Sequence, residues 1–511
     1  MAMRPKWIGC ILAAVMVSAL GLTACTPTPA PAKPGESSAA TKPYGSLTIA
    51  PNFSAGSFIH SSGKGLYIGS VYDGVGGDVF DELIGQTTRG ELIPQIAERW
   101  EISSDGMTHT FYIKKGVKFH NGDDLTGADV KFSLEMQKAT QSRTDWTQAY
   151  DRVDLKDDYT VVLRLKLPRF DVLVGLETSM GAGAVLPKRY IEEKGWDYWG
   201  LNPVGSGPYR VVKWEVGDRL ELEAVEDHWR ATPKFKNITL LNVKEEGAKV
   251  AMLKTGELDM AVISPESVAA IKAAGLRVLG HYGTRQWRFS PFWDFDNPKD
   301  HAFGDLRVRK ALSLAIDRKE LADKLAGGYG QPASVYAMSR VAQFYNADEF
   351  KPDPFDPEMA KKLLAESGYP NGFDAKIWDT GGGGIISTVG LALSGYWHKV
   401  GIRAALQPVD FAVLLPKMRA KGDISQRPTD MFGTIAVDGT GGRLGLPTLD
   451  MVGWPAGLVG MPNPRLNELL SIIPVTADPG KRLATEAVRL ARDGYSGIAI
   501  LDIDDLYATR S

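Results

Sequence analysis

The sequence predicts an α/β protein, because segments with the periodicity of strands alternate with segments that carry helix start and stop signals. Thr108 to Ile113 alternates polar and apolar side chains, which is typical of a strand with one buried face. Val308 to Ile316 instead places apolar residues three and four positions apart, as on one face of a helix. A chain of 511 residues can bury a large core and form about three domains.

The charge balance and the cysteines exclude several classes of function. Lys and Arg number 59 against 61 Asp and Glu, so the net charge of −2 gives no basic face of the kind that nucleic-acid binding requires. The two cysteines, Cys10 and Cys25, both lie near the N-terminus. The rest of the chain therefore has no disulfide framework and no zinc site built from cysteine.

The N-terminus has the features of a secretory signal. Arg4 and Lys6 precede an apolar run from Trp7 to Leu22, which is followed by small residues and is too short and wrongly flanked for a membrane span. The run ends in Leu-Thr-Ala-Cys at Cys25, which resembles the lipobox of bacterial lipoproteins. This resemblance implies that Cys25 is acylated, becomes the first residue and anchors the protein to a membrane. An ordinary signal peptide with a chance cysteine is the alternative.

A dense series of turn and cap signals occupies residues 93–135. Asp105-Gly106 predicts a hairpin turn between two strands, and Asn121-Gly122 predicts a second turn. Thr126 can then cap a helix, with Asp129 in the capping-box position. We therefore expect a hairpin followed directly by a helix.

This order of features resembles the bacterial extracellular solute-binding proteins of family 5, which include oligopeptide-, dipeptide- and nickel-binding components of ABC importers. The family segment K-x-G-V-K-F-H-x-G is matched at residues 114–122, and F-x-D-x-R-V-R is matched at residues 303–309. The resemblance implies a two-lobed, periplasmic-binding-protein-like α/β fold, with an extra subdomain inserted in lobe I and a ligand cleft between the lobes.

The same resemblance divides the chain into segments. They are the lipoprotein signal peptide (1–24), a Pro-, Ala- and Ser-rich tether (25–44), lobe I part a (45–90), the inserted subdomain (91–199), lobe I part b (200–285), lobe II (286–479) and lobe I part c (480–511).

Further elements follow from local signals. Gly256 is the stop of a helix that precedes an apolar strand, and the aromatic-rich segment 286–296 is predicted as hinge and cleft wall. Asp305, Asp317 and Asp356 are each placed to start a helix. Other predicted strands are 47–50, 160–167, 209–214, 220–224, 260–263, 376–378, 430–438 and 498–501, and other predicted helices are 188–195, 394–399, 413–421, 463–470 and 481–492.

Two glycine-rich segments each allow two interpretations. Gly205-Ser206-Gly207-Pro208 has the glycines of a phosphate loop, but no Gly-Lys-Ser/Thr follows and Pro208 lacks a backbone donor. A tight turn at the entry to a strand is therefore favoured, and the segment resembles the family motif G-T-G-P-Y. Gly381 to Gly384 can cradle an anion or form a flexible loop, and the loop is favoured because no fingerprint surrounds it.

Four residues are candidates for ligand contact. In peptide-binding relatives an aspartate at a strand end receives the α-ammonium group of the ligand, and Asp438 is the matching position, although the family's Asp-Pro is absent. A turn residue before glycine is the alternative role for Asp438. Trp287 is predicted as apolar cleft wall, Phe58 as cleft or core, and Trp454 as a further aromatic contact.

No motif of a hydrolase, metalloprotease, P-loop protein or dinucleotide-binding protein occurs, so we expect no catalytic residues, no metal site and no cofactor. The resemblance implies a monomeric, lipid-anchored extracytoplasmic protein, on the periplasmic side or cell surface, that delivers a small solute, foremost a peptide, to the transmembrane subunits of an ABC permease. A sugar, metal chelate or opine is the alternative ligand. A surface chaperone or sensor is the alternative function.

Overall fold

The computed structural model describes residues 42–51, 76–86, 92–139, 149–170, 172–177, 183–291, 302–335, 346–379, 385–409, 430–433, 465–466, 468–469, 480–495 and 497–510. Residues 42–511 form one compact unit. The strands are β1 (Ser46–Ala50), β2 (Ile84–Gln86), β3 (Leu92–Pro94), β4 (Ala97–Ile102), β5 (Thr108–Ile113), β6 (Tyr150–Asp157), β7 (Thr160–Leu165), β8 (Tyr209–Glu215), β9 (Arg219–Ala224), β10 (Asn237–Leu241), β11 (Met260–Ile263), β12 (Arg277–Pro291), β13 (Gly330–Pro332), β14 (Asp374–Asp379), β15 (Arg403–Pro408), β16 (Asp430–Gly433) and β17 (Ile498–Thr509).

Helices connect most of these strands. They are α1 (Gly76–Val79), α2 (Gly127–Ala139), α3 (Val172–Glu177), α4 (Lys188–Lys194), α5 (Trp196–Leu201), α6 (Glu246–Thr255), α7 (Val268–Ala273), α8 (Leu306–Leu314), α9 (Arg318–Leu325), α10 (Pro357–Glu366), α11 (Ile385–His398) and α12 (Gly480–Asp493). Short 3₁₀ turns lie at Pro265–Ser267 and Ala302–Gly304.

One sheet runs through both lobes. Its strand order is β15-β14-β16-β12-β17-β11-β1-β10-β9-β8, and β13 pairs with β17 off this path. A separate four-stranded sheet, in the order β4-β5-β7-β6, lies within the segment predicted as the inserted subdomain, and β2 pairs with β3. The Asp105-Gly106 turn joins β4 to β5, as the sequence predicts, with Gly106 at a φ of +67°.

Side-chain caps start the helices at the predicted positions. The carboxylate of Asp305 accepts a hydrogen bond from Arg307 N, that of Asp317 from Glu320 N, and that of Asp356 from Met359 N. At α2, Thr126 N donates to Asp129 Oδ2 at 2.9 Å and Ala128 N donates to Thr126 Oγ1 at 3.3 Å. These caps confirm the local predictions for α2, α8, α9 and α10.

Four hydrophobic clusters form the core among the residues that the structure describes. One cluster has members from Trp287 to Ile503, mostly in the segment predicted as lobe II, and one has members from Leu83 to Val185, mostly in the predicted inserted subdomain. Two clusters belong to lobe I. Ile191 and Trp199, placed in the inserted subdomain by the sequence, pack in a lobe I cluster.

The C-terminal segment 480–511 divides between the lobes. Ala487, Val488 and Ala491 of α12 lie in the lobe II cluster, whereas Leu506 and Ala508 lie in a lobe I cluster. The resemblance to the family places the whole segment in lobe I, and the spacing of apolar residues shows that a helix is amphipathic but not which core it covers.

β17 is longer than the predicted strand 498–501. The apolar run is interrupted at Asp502, Asp504 and Asp505, so sequence periodicity ends the strand early. In the structure β12 lies on one side of β17, and β11 and β13 lie on the other. Asp502 is thus paired on both sides, Asp505 is paired with β12, and residues 506–509 are paired with both β12 and β11, so ladder pairing extends the strand beyond the apolar run.

Two glycines after α10 offer a test of backbone packing. Gly372 has a φ of +68°, and a β-carbon there would overlap the carbonyl oxygen of Gly401. Gly368 has a φ of +91° with open space around its Cα.

We expect Gly368→Ala to cost about 1–2 kcal/mol of unfolding free energy through its left-handed backbone alone. Gly372→Ala should cost about 1–3 kcal/mol more, because the clash adds to the strain. Urea unfolding followed by circular dichroism measures both, and equal losses would contradict the packing argument.

Candidate functional site

The directions of the strands place the ends of two sets of parallel strands at one boundary. β1 and β11 are parallel to each other, β11 is antiparallel to β17, and β17 is antiparallel to β12. β1 and β11 therefore run with β12, toward lobe II. β16 is antiparallel to β12, and β14 is parallel to β16, so both run toward lobe I.

The carboxyl ends of strands from both lobes thus face the stretch where β12 and β17 pass between the lobes. We call this stretch, residues 281–285 of β12 and 503–505 of β17, the crossing. In open α/β sheets, ligands bind beyond the carboxyl ends of the strands. The crossing is therefore the candidate ligand site.

Lobe II presents a fixed carboxylate at this boundary. Asp379 is the last residue of β14 and is 6% exposed. Its Oδ2 accepts a hydrogen bond of 2.5 Å from Ser387 Oγ, in the first turn of α11, and its backbone oxygen accepts one of 2.9 Å from Val409 N. The positive end of a helix favours a negative charge at this position.

Lobe I presents a carboxylate and an amine at the same boundary. Glu246 and Lys249 lie on the first turn of α6, beside the end of β11. Lys249 is 2% exposed, and its Nζ donates to Val262 O at 2.8 Å and lies 3.3 Å from Glu246 Oε1. The Glu246 side chain keeps 33% of its surface exposed. Both lobes therefore place a carboxylate near the crossing.

The predicted contact residues fall in different parts of the chain. Trp287 is 1% exposed and belongs to the lobe II cluster with Phe289. The structure gives it a packing role, and a role as cleft wall remains a prediction. Phe58, Asp438 and Trp454 lie outside the described residues, as does Cys25.

Sequence reasoning missed Asp379, Glu246 and Lys249. An acidic residue at the end of a strand and before a run of glycines was an available signal for Asp379. Glu246 and Lys249 gave no such signal, because a charged helix start is indistinguishable in sequence from a solvated helix face.

A buried carboxylate joins two distant segments of the predicted lobe I. Asp81 is fully buried and accepts hydrogen bonds from Trp229 Nε1 at 2.7 Å and from Arg230 Nη2 and Nε at 2.8 and 3.0 Å. His228 Nε2 lies 3.2 Å from Asp81 Oδ2 and 2.9 Å from Ser206 O. These contacts bring together segments almost 150 positions apart, which explains why sequence spacing did not reveal them.

The Gly205-Ser206-Gly207-Pro208 segment forms the predicted turn before β8. A β-carbon at Gly205 would overlap Val79 O, and one at Gly207 would lie 2.5 Å from Asp78 O. The glycines are therefore required for close backbone packing against α1.

Two further properties of the described residues bear on function. They contain no group of three or more His, Cys, Asp or Glu side chains that could hold a metal ion. No helix among them has the length and apolar character needed to cross a bilayer.

Comparison with known proteins assigns the family. Residues 91–439 match the model of the bacterial extracellular solute-binding proteins, family 5 Middle, which is more than half of the chain. The chain belongs to this family. The match includes the hairpin and capped helix α2 near its start, as well as the capped helix α8.

Relatives of known sequence are binding proteins. The glutathione-binding protein GsiB of Salmonella choleraesuis is 29% identical over 339 residues, which are 64% of this chain and 63% of the relative. The GsiB protein of Escherichia coli O1:K1 is 28% identical over 431 residues, which are 81% and 80% of the two chains. The match to the Salmonella protein thus spans less than two thirds of that relative's length.

Solved structures show the same fold. The periplasmic binding protein DppA of Helicobacter pylori, in complex with the peptide STSA, superposes with a TM-score of 0.70 at 20% identity, covering 92% of this chain and 94% of that one. NikA of Brucella suis, in complex with Fe(III)-EDTA, superposes with a TM-score of 0.75 at 17% identity, covering 91% and 95%. The predicted two-lobed α/β fold of the periplasmic-binding-protein type is confirmed.

Two titratable groups beside Asp81 have displaced pKa values. Burial raises the pKa of Asp78 from 3.8 to about 6, and the Arg230 guanidinium opposes this shift. Burial lowers the pKa of His120 from 6.5 to about 4, against its hydrogen bond to Gly207 O. Asp78 contributes to the free energy of unfolding at pH values below its pKa in the unfolded chain, and this contribution is lost as pH rises through about 6. That from His120 is present above pH 6.5 and lost as pH falls toward 4.

The two contributions have opposite slopes between pH 4 and 6.5, so each variant should reveal one of them. Relative to wild type, Asp78→Asn should gain stability as pH rises through this range, and His120→Gln should gain stability as pH falls. Each change should be about 1–3 kcal/mol, since one pKa unit corresponds to about 1.4 kcal/mol. Urea midpoints measured across this pH range test the signs, and parallel slopes for the two variants would refute the assignment.

Proposed function

We propose that the chain is the extracytoplasmic substrate-binding component of an ABC importer, which captures a small peptide between its lobes and delivers it to a membrane permease. The observation that carries the proposal is the convergence of strand ends from both lobes on the crossing, in a chain of the solute-binding family. Two comparisons support a peptide-like ligand. The GsiB relatives are glutathione-binding proteins, and the superposed DppA structure contains a bound peptide.

Ligand binding would work by shifting a conformational equilibrium. A solute that contacts the β14 edge of lobe II and the β11 edge of lobe I touches both only when the lobes are closed. Its affinity for the closed form is then higher than for the open form, and the difference sets the population shift. Moving such an equilibrium from 1:99 to 99:1 requires about 5.5 kcal/mol of differential binding. The permease would recognise the closed form.

The charges near the crossing favour a ligand with an ammonium group. Asp379 and Glu246 are carboxylates on facing edges, and Asp438 follows the last described residue of β16, Gly433, by five positions. A hydrogen bond between an ammonium group and a carboxylate contributes about 1.5–3 kcal/mol. A peptide with a free α-amino group carries such a donor. An anionic metal chelate would instead meet the Asp379 carboxylate at the lobe II edge, and at the lobe I edge a Glu246 carboxylate paired with Lys249.

The N-terminal sequence supports attachment to a membrane. Cys25 would carry the lipid, and the proline-rich residues 25–44 would separate it from the folded unit. A single acyl chain anchors a protein only marginally, so stable attachment would require several acyl chains on Cys25. Acylation of this residue would then decide whether the protein fractionates with the membrane.

Replacement of Cys25 tests the anchor. We expect Cys25→Ser to move the protein from the membrane fraction to the soluble extracytoplasmic fraction, with folding unchanged, since the variant removes only the acceptor of the lipid. Immunoblotting of the two fractions measures the change, and Cys10→Ser is the control that keeps the acceptor. Wild-type protein already in the soluble fraction would argue for an ordinary signal peptide, and retention of the Cys25→Ser protein in the membrane would contradict attachment through Cys25.

Calorimetry with short peptides tests the ammonium site. Tripeptides with a free amino group should bind Asp438→Asn about ten- to a hundred-fold more weakly than wild type, because one charge-assisted bond is lost. N-acetylated versions should bind both proteins equally. Asp374→Asn makes the same charge change at the amino end of β14, where the carboxylate is exposed and paired with Arg403, and should leave affinity unchanged. Equal affinity of Asp438→Asn and wild type for the free peptide would reject the ammonium role.

A further inference from the structure

Two strands carry the chain between the lobes. β12 is 15 residues long and runs from lobe I into lobe II, and β17 is 12 residues long and returns. Within the described parts of the chain these strands are the two passages between the lobe I and lobe II clusters. Any closing motion must therefore bend both of them.

The ladder between these strands is interrupted at the crossing. His281 pairs with Asp505, and the next pair is Arg285 with Ile503. Three residues of β12 thus lie opposite one residue of β17. A second irregularity follows between Trp287 and Arg288. Bulges of this kind remove ladder hydrogen bonds and bend the strand locally.

Three regular pairs lie between the two irregularities, formed by residues 285–287 and 501–503. We call them the three-pair ladder. β13 pairs with the same three residues of β17 from the other side. The three-pair ladder is therefore a three-stranded patch at the lobe II side of the crossing.

A buried side-chain pair holds this patch together. Gln286 and Asp502 form its central pair and are 4% and 2% exposed. Gln286 Nε2 donates to Asp502 Oδ1 at 2.8 Å and to Val335 O, three residues beyond β13, at 3.0 Å. One amide thus ties together β12, β17 and the chain that leaves β13. Hydrogen bonds to a charged acceptor are among the stronger ones, and burial raises the cost of losing them.

We propose that Gln286 and Asp502 are positioning residues for lobe closure, which fix the lobe II side of the hinge and confine bending to residues 282–284 of β12 and to residue 504 of β17. This inference rests on the proposed function, since it assigns the pair a role in the closing motion. With the pair intact, the three-pair ladder moves with lobe II as a rigid body. Without it, bending spreads into the ladder and the lobes sample a wider range of separations.

Hydrogen exchange with mass spectrometry on the full-length, ligand-free protein tests the assignment. In Gln286→Leu, amides of the three-pair ladder should exchange tenfold or more faster than in wild type, while amides of the inserted subdomain do not change. Small-angle scattering should show a broader distribution of interlobe distances. Asp502→Asn keeps an oxygen acceptor for Gln286 but removes its charge, so its exchange and scattering should lie between those of wild type and Gln286→Leu. If Gln286→Leu does not fold, Gln286→Met removes the same donor with an unbranched side chain.

Tyr396→Phe is the matched control. It removes a hydroxyl donor to the Glu320 carboxylate in the same lobe, between α11 and α9, and leaves the contacts of Gln286 and Asp502 unchanged. It should alter neither the exchange of the three-pair ladder nor the scattering curve. Exchange in Gln286→Leu that rises only in step with global unfolding, with scattering like that of Tyr396→Phe, would overturn the inference.

The experiment is independent of the identity of the solute, because every measurement uses ligand-free protein. Faster exchange of the three-pair ladder and a broader distribution of interlobe distances in Gln286→Leu would support the inference even if no peptide binds the wild-type protein. Conversely, peptide binding by the wild-type protein, together with unchanged exchange and scattering in Gln286→Leu, would support the proposed function and overturn the inference.

Discussion

The antiparallel pairing of β12 with β17 is the constraint on which the rest of the structure depends. It fixes the direction of β11 and β1 on one side and of β16 and β14 on the other. Because of these directions, the carboxyl ends of the parallel strands in both lobes meet at the crossing. Were either partner of the pair reversed, one set of strand ends would lie at the far edge of its lobe. The carboxylates of Asp379 and Glu246 would then lie a whole lobe apart.

The predictable part of the fold is the part that local chemistry decides. A cap such as Asp305, Asp317 or Asp356 satisfies backbone donors two or three residues away, so its signal is contained in a short window of sequence. The Asp105-Gly106 turn is equally local, since glycine relieves a positive φ wherever it occurs. The two-lobed architecture was predicted from resemblance to a family. Such a resemblance includes information on contacts between distant segments, which no short window of sequence contains.

The remainder depended on contacts between distant segments. Gln286 and Asp502 are 216 positions apart, and His228 and Asp81 are 147 apart, so neither pair has a signature in sequence. The length of β17 followed from strands on both sides of it, which outweigh its acidic residues. The apolar face of α12 showed that the helix packs but not in which lobe. Asp438, the central residue of the predicted ligand site, lies outside the described residues and stays a prediction.

The pairing of His281 with Asp505 has a consequence for the modular construction of the molecule. These residues are separated by more than 200 positions in the chain, yet they are neighbours across one ladder. Within the part of the chain that the structure describes, lobe II therefore leaves and re-enters lobe I along this one pair of strands. A tight hairpin turn linking the two strands there would bypass lobe II and preserve their register, so lobe I could be produced as an independent chain to which other domains are grafted.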